Sequence, residues 1–220
     1  MADSGDREAK RRARLETLLD PAVTAVVTME LQNGVVGEQA LLPALVDAVR
    51  DGGTIEAAAA VCRAGRAVGA RVVHCTAEQR ADGAGATENC TIFAMNERNR
   101  RQGVMPLEVG TIGAQVVDEL GPEETDIVVS RIHGMTPFTS TSLDQILRNL
   151  GVTTIVAVGV SVNLGIIGLC LNAVDLGYQV VLPRDAVAGV PADYADAMID
   201  NSLATITTLT TSAEVAANWS

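Results

Sequence analysis

Between Thr154 and Asp185 the chain reads TIVAVGVSVNLGIIGLCLNAVDLGYQVVLPRD, one strand, turn, helix, strand unit with glycines at its bends. Thr154 to Val158 is a β-branched apolar run ending at Gly159, and Val162 to Leu176 has the length of a helix. Gly177 stops that helix, and Tyr178 to Leu182 is a second apolar run. Two parallel strands joined by a helix place ligand sites beyond the strand carboxyl ends, here the turn Gly159-Val160-Ser161 and the first helical turn through Gly165.

The same alternation extends over the rest of the chain. Apolar runs at Thr24 to Leu31, Arg71 to Thr76 and Asp126 to Ser130 read as strands. A helix capped by Thr54 runs to Gly69, others lie near Glu88 to Gln102 and Thr111 to Leu120, and Ser142 with Gln145 forms a capping box before a Leu143, Ile146, Leu147, Leu150 stripe. A helix near Ala192 to Leu203, a strand at Ala204 to Leu209 and a helix from Ser212 close the chain. This predicts a three-layer α/β/α sandwich around a mainly parallel sheet of about six strands, Rossmann-like, with Val, Leu, Ile and Ala in the core because aromatic residues are scarce. Residues 1–20 are expected to form a charged extension, frayed to about residue 14 and then a short helix; 21–220 are expected to form one domain.

Three segments resemble a known family, the isochorismatase-like or cysteine hydrolases. They are MELQNG around Glu30, VVSRIHGMTPF around Arg131, and GVSVNLG ending at Gly165. In that family the corresponding pattern is an acidic residue followed by Leu or Met, Gln and Asn; a basic residue ending a later strand; and Gly-Val-x-x-x-x-Cys opening a helix. The usual Asp, Lys and Cys are here Glu30, Arg131 and Gly165. The resemblance implies those three as the catalytic positions; Gln32, Val160 and His133, which stands in the loop two residues past Arg131, are candidate substrate contacts, and Ser161 and Asn163 either contact a ligand or cap the following helix. It also implies a cis peptide at Val160-Ser161 and a homo-oligomer, dimer or tetramer.

At a strand's carboxyl end a carboxylate can face a cleft, so Glu30 can exchange a proton with substrate or form an ion pair. Arg131 does not release its proton; its planar fork suits a substrate carboxylate, or a structural ion pair. Gly165 has no nucleophile, which removes thiol chemistry at that position. Members of the family that hydrolyse a vinyl ether also lack cysteine there. The leading reading is therefore acid-assisted hydrolysis of an ether-type bond in a small anionic metabolite. A degenerate member that binds a metabolite or an assembly partner without turnover is the alternative, and an amide hydrolase using Cys75 is the second.

Cys170, five positions on from Gly165, faces elsewhere on the helix, and His74 reads as a satisfied core residue. The two histidines and four cysteines show no metal-ligand spacing, so no metal, cofactor or disulfide framework is expected. A net charge of −11 argues against a nucleic-acid partner, and no apolar run is long enough to span a membrane. With no signal segment at the charged N-terminus, the cytoplasm is the expected location of a protein acting on a small-molecule substrate.

Overall fold

The computed structural model describes residues 2–220. The elements are α1 (Ala2–Leu18), β1 (Thr24–Met29), α2 (Asn33–Val36), α3 (Pro43–Asp51), α4 (Thr54–Ala67), β2 (Arg71–Ala77), α5 (Thr91–Arg101) and β3 (Ile127–Arg131). They continue with α6 (Pro137–Ser140), α7 (Leu143–Asn149), β4 (Thr154–Val160), α8 (Ile167–Asp175), β5 (Gln179–Pro183) and β6 (Val187–Ala188). The last are α9 (Ala192–Met198), α10 (Ala204–Ile206), β7 (Thr208–Thr210) and α11 (Ser212–Asn218).

The strands form one sheet in the order β3-β2-β1-β4-β5-β7, and β6 pairs with the carboxyl half of β4. Every strand pair is parallel, so the turns leaving β1, β2, β3 and β4 emerge along one edge. Every residue of β1 and of β4 is buried, as expected for central strands covered on both faces. One core layer joins Val27, Met29, Val73 and Cys75 to Leu147, Leu169 and Leu203, and the other joins Val26, Val72 and Val156 to Leu15, Val61 and Trp219.

The sheet of about six strands expected from the sequence is present, and Val187–Ala188 adds a short seventh off its main path. The charged N-terminus is helical from Ala2, whereas the sequence predicts fraying to residue 14. Its Leu15 and Leu19 enter the core, Arg11 pairs with Glu214, and Trp219 Nε1 donates to the Leu19 carbonyl at 2.7 Å. Thr111 to Leu120 holds only two 3-10 turns, Ile112–Ala114 and Asp118–Leu120, because its carbonyls and amides bond back to the turn after β1. The helix after β4 opens with a π-helical turn over Val162–Ile166. Neither Thr54 nor Ser142 caps a helix through its side chain; the capping box that does form joins Thr211 and Glu214. Among the described residues no helix is long and apolar enough to cross a membrane.

Candidate active site

Glu30 immediately follows β1 and adopts φ 52°, the only non-glycine residue described with a positive φ. Left-handed backbone is costly for a side chain of this kind, and it persists where surrounding bonds enforce it. Here the Glu30 amide donates to the Cys75 carbonyl at 2.9 Å, fixing the turn against β2. Arg131, the last residue of β3, reaches across the end of β2 to meet it: Nη2 pairs with Glu30 Oε1, Nη1 donates to the Thr76 carbonyl at 3.2 Å, and Nε donates to the Gly134 carbonyl at 3.1 Å. The Arg131 side chain is 3% exposed and that of Glu30 22%, so the carboxylate is the more accessible member of the pair.

Gly165 lies on the turn beyond β4, at the same sheet edge. A Cβ there would stand 2.8 Å from Met29 Cε and 2.9 Å from the Val160 carbonyl oxygen. The volume a side chain would need is thus filled from β1. The three positions implied by the resemblance therefore share one edge, as parallel strand order requires.

The remaining positions divide. His133 is exposed and lines a cleft beyond β2 and β3, together with Gln79, Glu97, Arg100 and Arg131. Glu30 and Gly165 are not in that wall; Glu30 connects to it through Arg131. The Val160-Ser161 peptide is cis. Asn163 Oδ1 is buried without a hydrogen-bond partner among the described residues and lies toward Gly189, beside a second cavity bounded by Val162, Arg184 and Asp196. Gln32 departs from its expected role as a ligand contact. It is fully buried, its Nε2 donates to the Ala77 and Ala114 carbonyls at 2.9 and 2.7 Å, and its Oε1 accepts from the Ala77 amide at 2.8 Å. An amide saturated in this way braces the turn after β1 against the end of β2. Arg131 takes the structural ion pair that was its other reading: each of its three nitrogens donates once inside the protein, which leaves one N–H on Nη1 and one on Nη2.

Cys75 neighbours Met29 in register, within the core layer that also holds Leu169. Burial pushes its thiol up to about 12, against the opposing pull of Arg131, so thiolate is scarce at neutral pH. Cys170 is likewise raised to about 12 by burial.

A second buried network was only partly foreseen from the sequence. His74 Nδ1 meets Thr28 Oγ1 at 2.9 Å, His74 Nε2 meets Asp126 Oδ2 at 3.2 Å, and Asp126 accepts from Arg66 Nη2 at 2.6 Å. Hydroxyl, imidazole and carboxylate form a hydrogen-bonded chain, yet Thr28 and His74 are 1% and 0% exposed, so no substrate reaches them. Burial lowers the His74 pKa from its ordinary 6.5, with Asp126 opposing. Burial alone would raise the Asp126 carboxyl, but hydrogen bonds from Arg66, the Glu123 amide and His74 leave it below its ordinary value. The unfolded chain therefore takes up protons first at both groups. Stability from His74 is full above about 6.5 and declines as pH falls toward its folded value; stability from Asp126 is lost at still lower pH. Thermal melting should fall between pH 7 and 5, and His74→Asn should flatten that fall; an unchanged slope would show the histidine to be uninvolved.

Comparison with known proteins agrees with this geometry. Residues 24–214 match the family model described as the isochorismatase domain. The chain is 30% identical over 193 residues to a ureidoacrylate amidohydrolase of Pseudomonas savastanoi pv. phaseolicola, covering 83% of this chain and 78% of that one. It is 29% identical over 185 residues to the ureidoacrylate amidohydrolase of Rhizobium rhizogenes, covering 80% and 74%. In fold it resembles a cysteine hydrolase from Pseudomonas syringae pv. phaseolicola 1448A, with a TM-score of 0.77, 21% identity, and coverage of 91% of this chain and 93% of that one. With a seven-stranded parallel sheet, a site edge assembled from β1, β3 and β4, and a family match spanning most of its length, the chain belongs to the isochorismatase domain family.

Proposed function

We propose that the protein is an isochorismatase-family hydrolase that works without a thiol nucleophile, Glu30 delivering a proton to the ether-type bond of a small metabolite. The observation that carries this reading is the Glu30–Arg131 pair. Arg131 engages one carboxylate oxygen and leaves Oε2 without a hydrogen bond among the described residues, so Oε2 is the oxygen that takes a proton from water and passes it to the substrate, at the sheet edge where ligands of such folds bind. Gly165 offers no attacking group, and Met29 fills the space in which one would stand. Cleaving a vinyl ether needs only a proton on the substrate before water adds, whereas an amide is a poor electrophile and needs a strong nucleophile. Arg131 is the positioning partner: it holds the carboxylate and is itself held by the Thr76 and Gly134 carbonyls.

A second reading, amide hydrolysis, is favoured by the ureidoacrylate amidohydrolases among the relatives. Cys75 would be its thiol, since it pairs in register with Met29, the residue before Glu30. Its complete burial weighs against this.

Steady-state assays on isochorismate, as the vinyl ether, and on ureidoacrylate, as the amide, separate the two, each repeated after exhaustive alkylation. The proposal expects turnover of the vinyl ether, undiminished by alkylation. Turnover of the ureido compound alone, lost in step with stoichiometric labelling of Cys75, would replace it with the second reading. No turnover of either would leave a binding protein.

A further inference from the structure

The end of β2 holds both members of the Glu30–Arg131 pair, residue by residue. The Cys75 carbonyl accepts from the Glu30 amide at 2.9 Å, the Thr76 carbonyl accepts from Arg131 Nη1 at 3.2 Å, and the Glu78 amide donates to the Arg131 carbonyl at 2.8 Å. Ala77, in register with Arg131, turns its amide and carbonyl the other way, toward the chain leaving β1. No strand is there to meet it, because β1 ends at Met29 and Glu30 bends away with φ 52°. The Gln32 side chain takes that place: Oε1 accepts from the Ala77 amide at 2.8 Å and Nε2 donates to the Ala77 carbonyl at 2.9 Å.

Glu30 is thus suspended between two anchors on β2, its own amide at Cys75 and the Gln32 side chain at Ala77. A left-handed glutamate is strained, and it keeps that conformation only while bonds on both sides enforce it. Releasing the Gln32 anchor lets the turn relax and frees the stretch of β2 that also aligns Arg131. Substrate recognition does not depend on it. Gln32 is fully buried, and the cleft wall has separate ties, from the Gln79 amide to the Leu107 carbonyl at 2.8 Å and from the Val109 amide to the Gln79 carbonyl at 3.0 Å. The segment whose Ala114 carbonyl takes the second Nε2 hydrogen is also held by backbone bonds, from the Asn33 amide to Gln115 and from the Val117 amide to Leu31, both at 3.0 Å.

We propose that Gln32 is a positioning residue for the reaction: by splicing the turn after β1 onto the end of β2 it holds Glu30 against Arg131, and it sets the rate of proton delivery without touching the substrate. The inference rests on the reading of Glu30 as the proton donor. A shift of the order of 1 Å in a reacting group is enough to slow a reaction by large factors, whereas contacts elsewhere in the cleft keep their affinity.

Gln32→Met keeps the length of the side chain and removes its three hydrogen bonds. With isochorismate as substrate, kcat of the folded variant should fall by about tenfold or more, with KM changed by no more than about twofold. The loss should vanish in a Glu30→Gln background, where the double variant is no slower than Glu30→Gln alone, because Gln32 acts through Glu30. The melting temperature falls whether the role is positioning or structural, since Ala77 and Ala114 lose their partners, so the kinetics decide. Gln32→Asn, which keeps the amide on a shorter stem, replaces Gln32→Met if the latter does not fold. A folded variant at the parent kcat would overturn the proposal, as would a raised KM at unchanged kcat, an equal loss in the Glu30→Gln background, or failure of both variants to fold. Its failure is distinct from that of the Glu30 chemistry: Gln32→Met at the parent rate beside a slow Glu30→Gln defeats this role alone, whereas a parent without turnover, or Glu30→Gln at the parent rate, defeats both.

Discussion

Replacing Gly159 with Ala is expected to destabilise the fold by about 3 kcal/mol, a large cost for one added methyl group. Gly159 ends the part of β4 that pairs with β1 and has φ 117°, a conformation that a side chain strongly disfavours. A Cβ there would lie 2.2 Å from the Met29 carbonyl oxygen and 2.9 Å from its nitrogen. Both are backbone atoms of a fully buried central strand, so relief requires moving β1 or β4. Chemical denaturation measures the loss. A midpoint shift no larger than that of Gly69→Ala, which also has a positive φ of 83° but no neighbour within 4 Å, would show that close approach contributes nothing. The same displacement would carry Glu30 away from Arg131, because Glu30 directly follows Met29.

The β-branched runs and stop glycines made the parallel sheet legible, since central strands must be apolar on both faces and helices must end. The sharing of one edge by Glu30, Arg131 and Gly165 followed from parallel strand order alone. Partnership was harder to read than position. Gln32 was expected to meet a ligand, yet its amide is saturated by Ala77 and Ala114, and only the folded path of residues 102–118 brings the latter carbonyl near. Ser142 and Gln145 had the spacing of a capping box, but the box that forms is at Thr211 and Glu214. The extra strand at Val187–Ala188 is two residues long, below what periodicity can register. The filling of the space beside Gly165 by Met29 depends on a contact between residues far apart in sequence.

The central claim is that Glu30 handles the proton, and Glu30→Gln tests it with the larger expected effect on rate. Glutamine keeps the size of the side chain and its acceptor for Arg131 while removing the titratable oxygen. The account predicts a fall in kcat of about 10²-fold or more, with ligand affinity little changed. Arg131 remains buried beside a neutral partner, and an unpaired buried charge costs about 3–5 kcal/mol in comparable cases, so thermal melting must accompany the kinetics. Glu30→Asp supplies a folded control that keeps the charge. The decisive measurement is kcat of folded Glu30→Gln on the substrate the parent hydrolyses, taken with its dissociation constant for that ligand: a loss of about 10²-fold at unchanged affinity is the predicted result, and turnover at the parent rate would contradict the account.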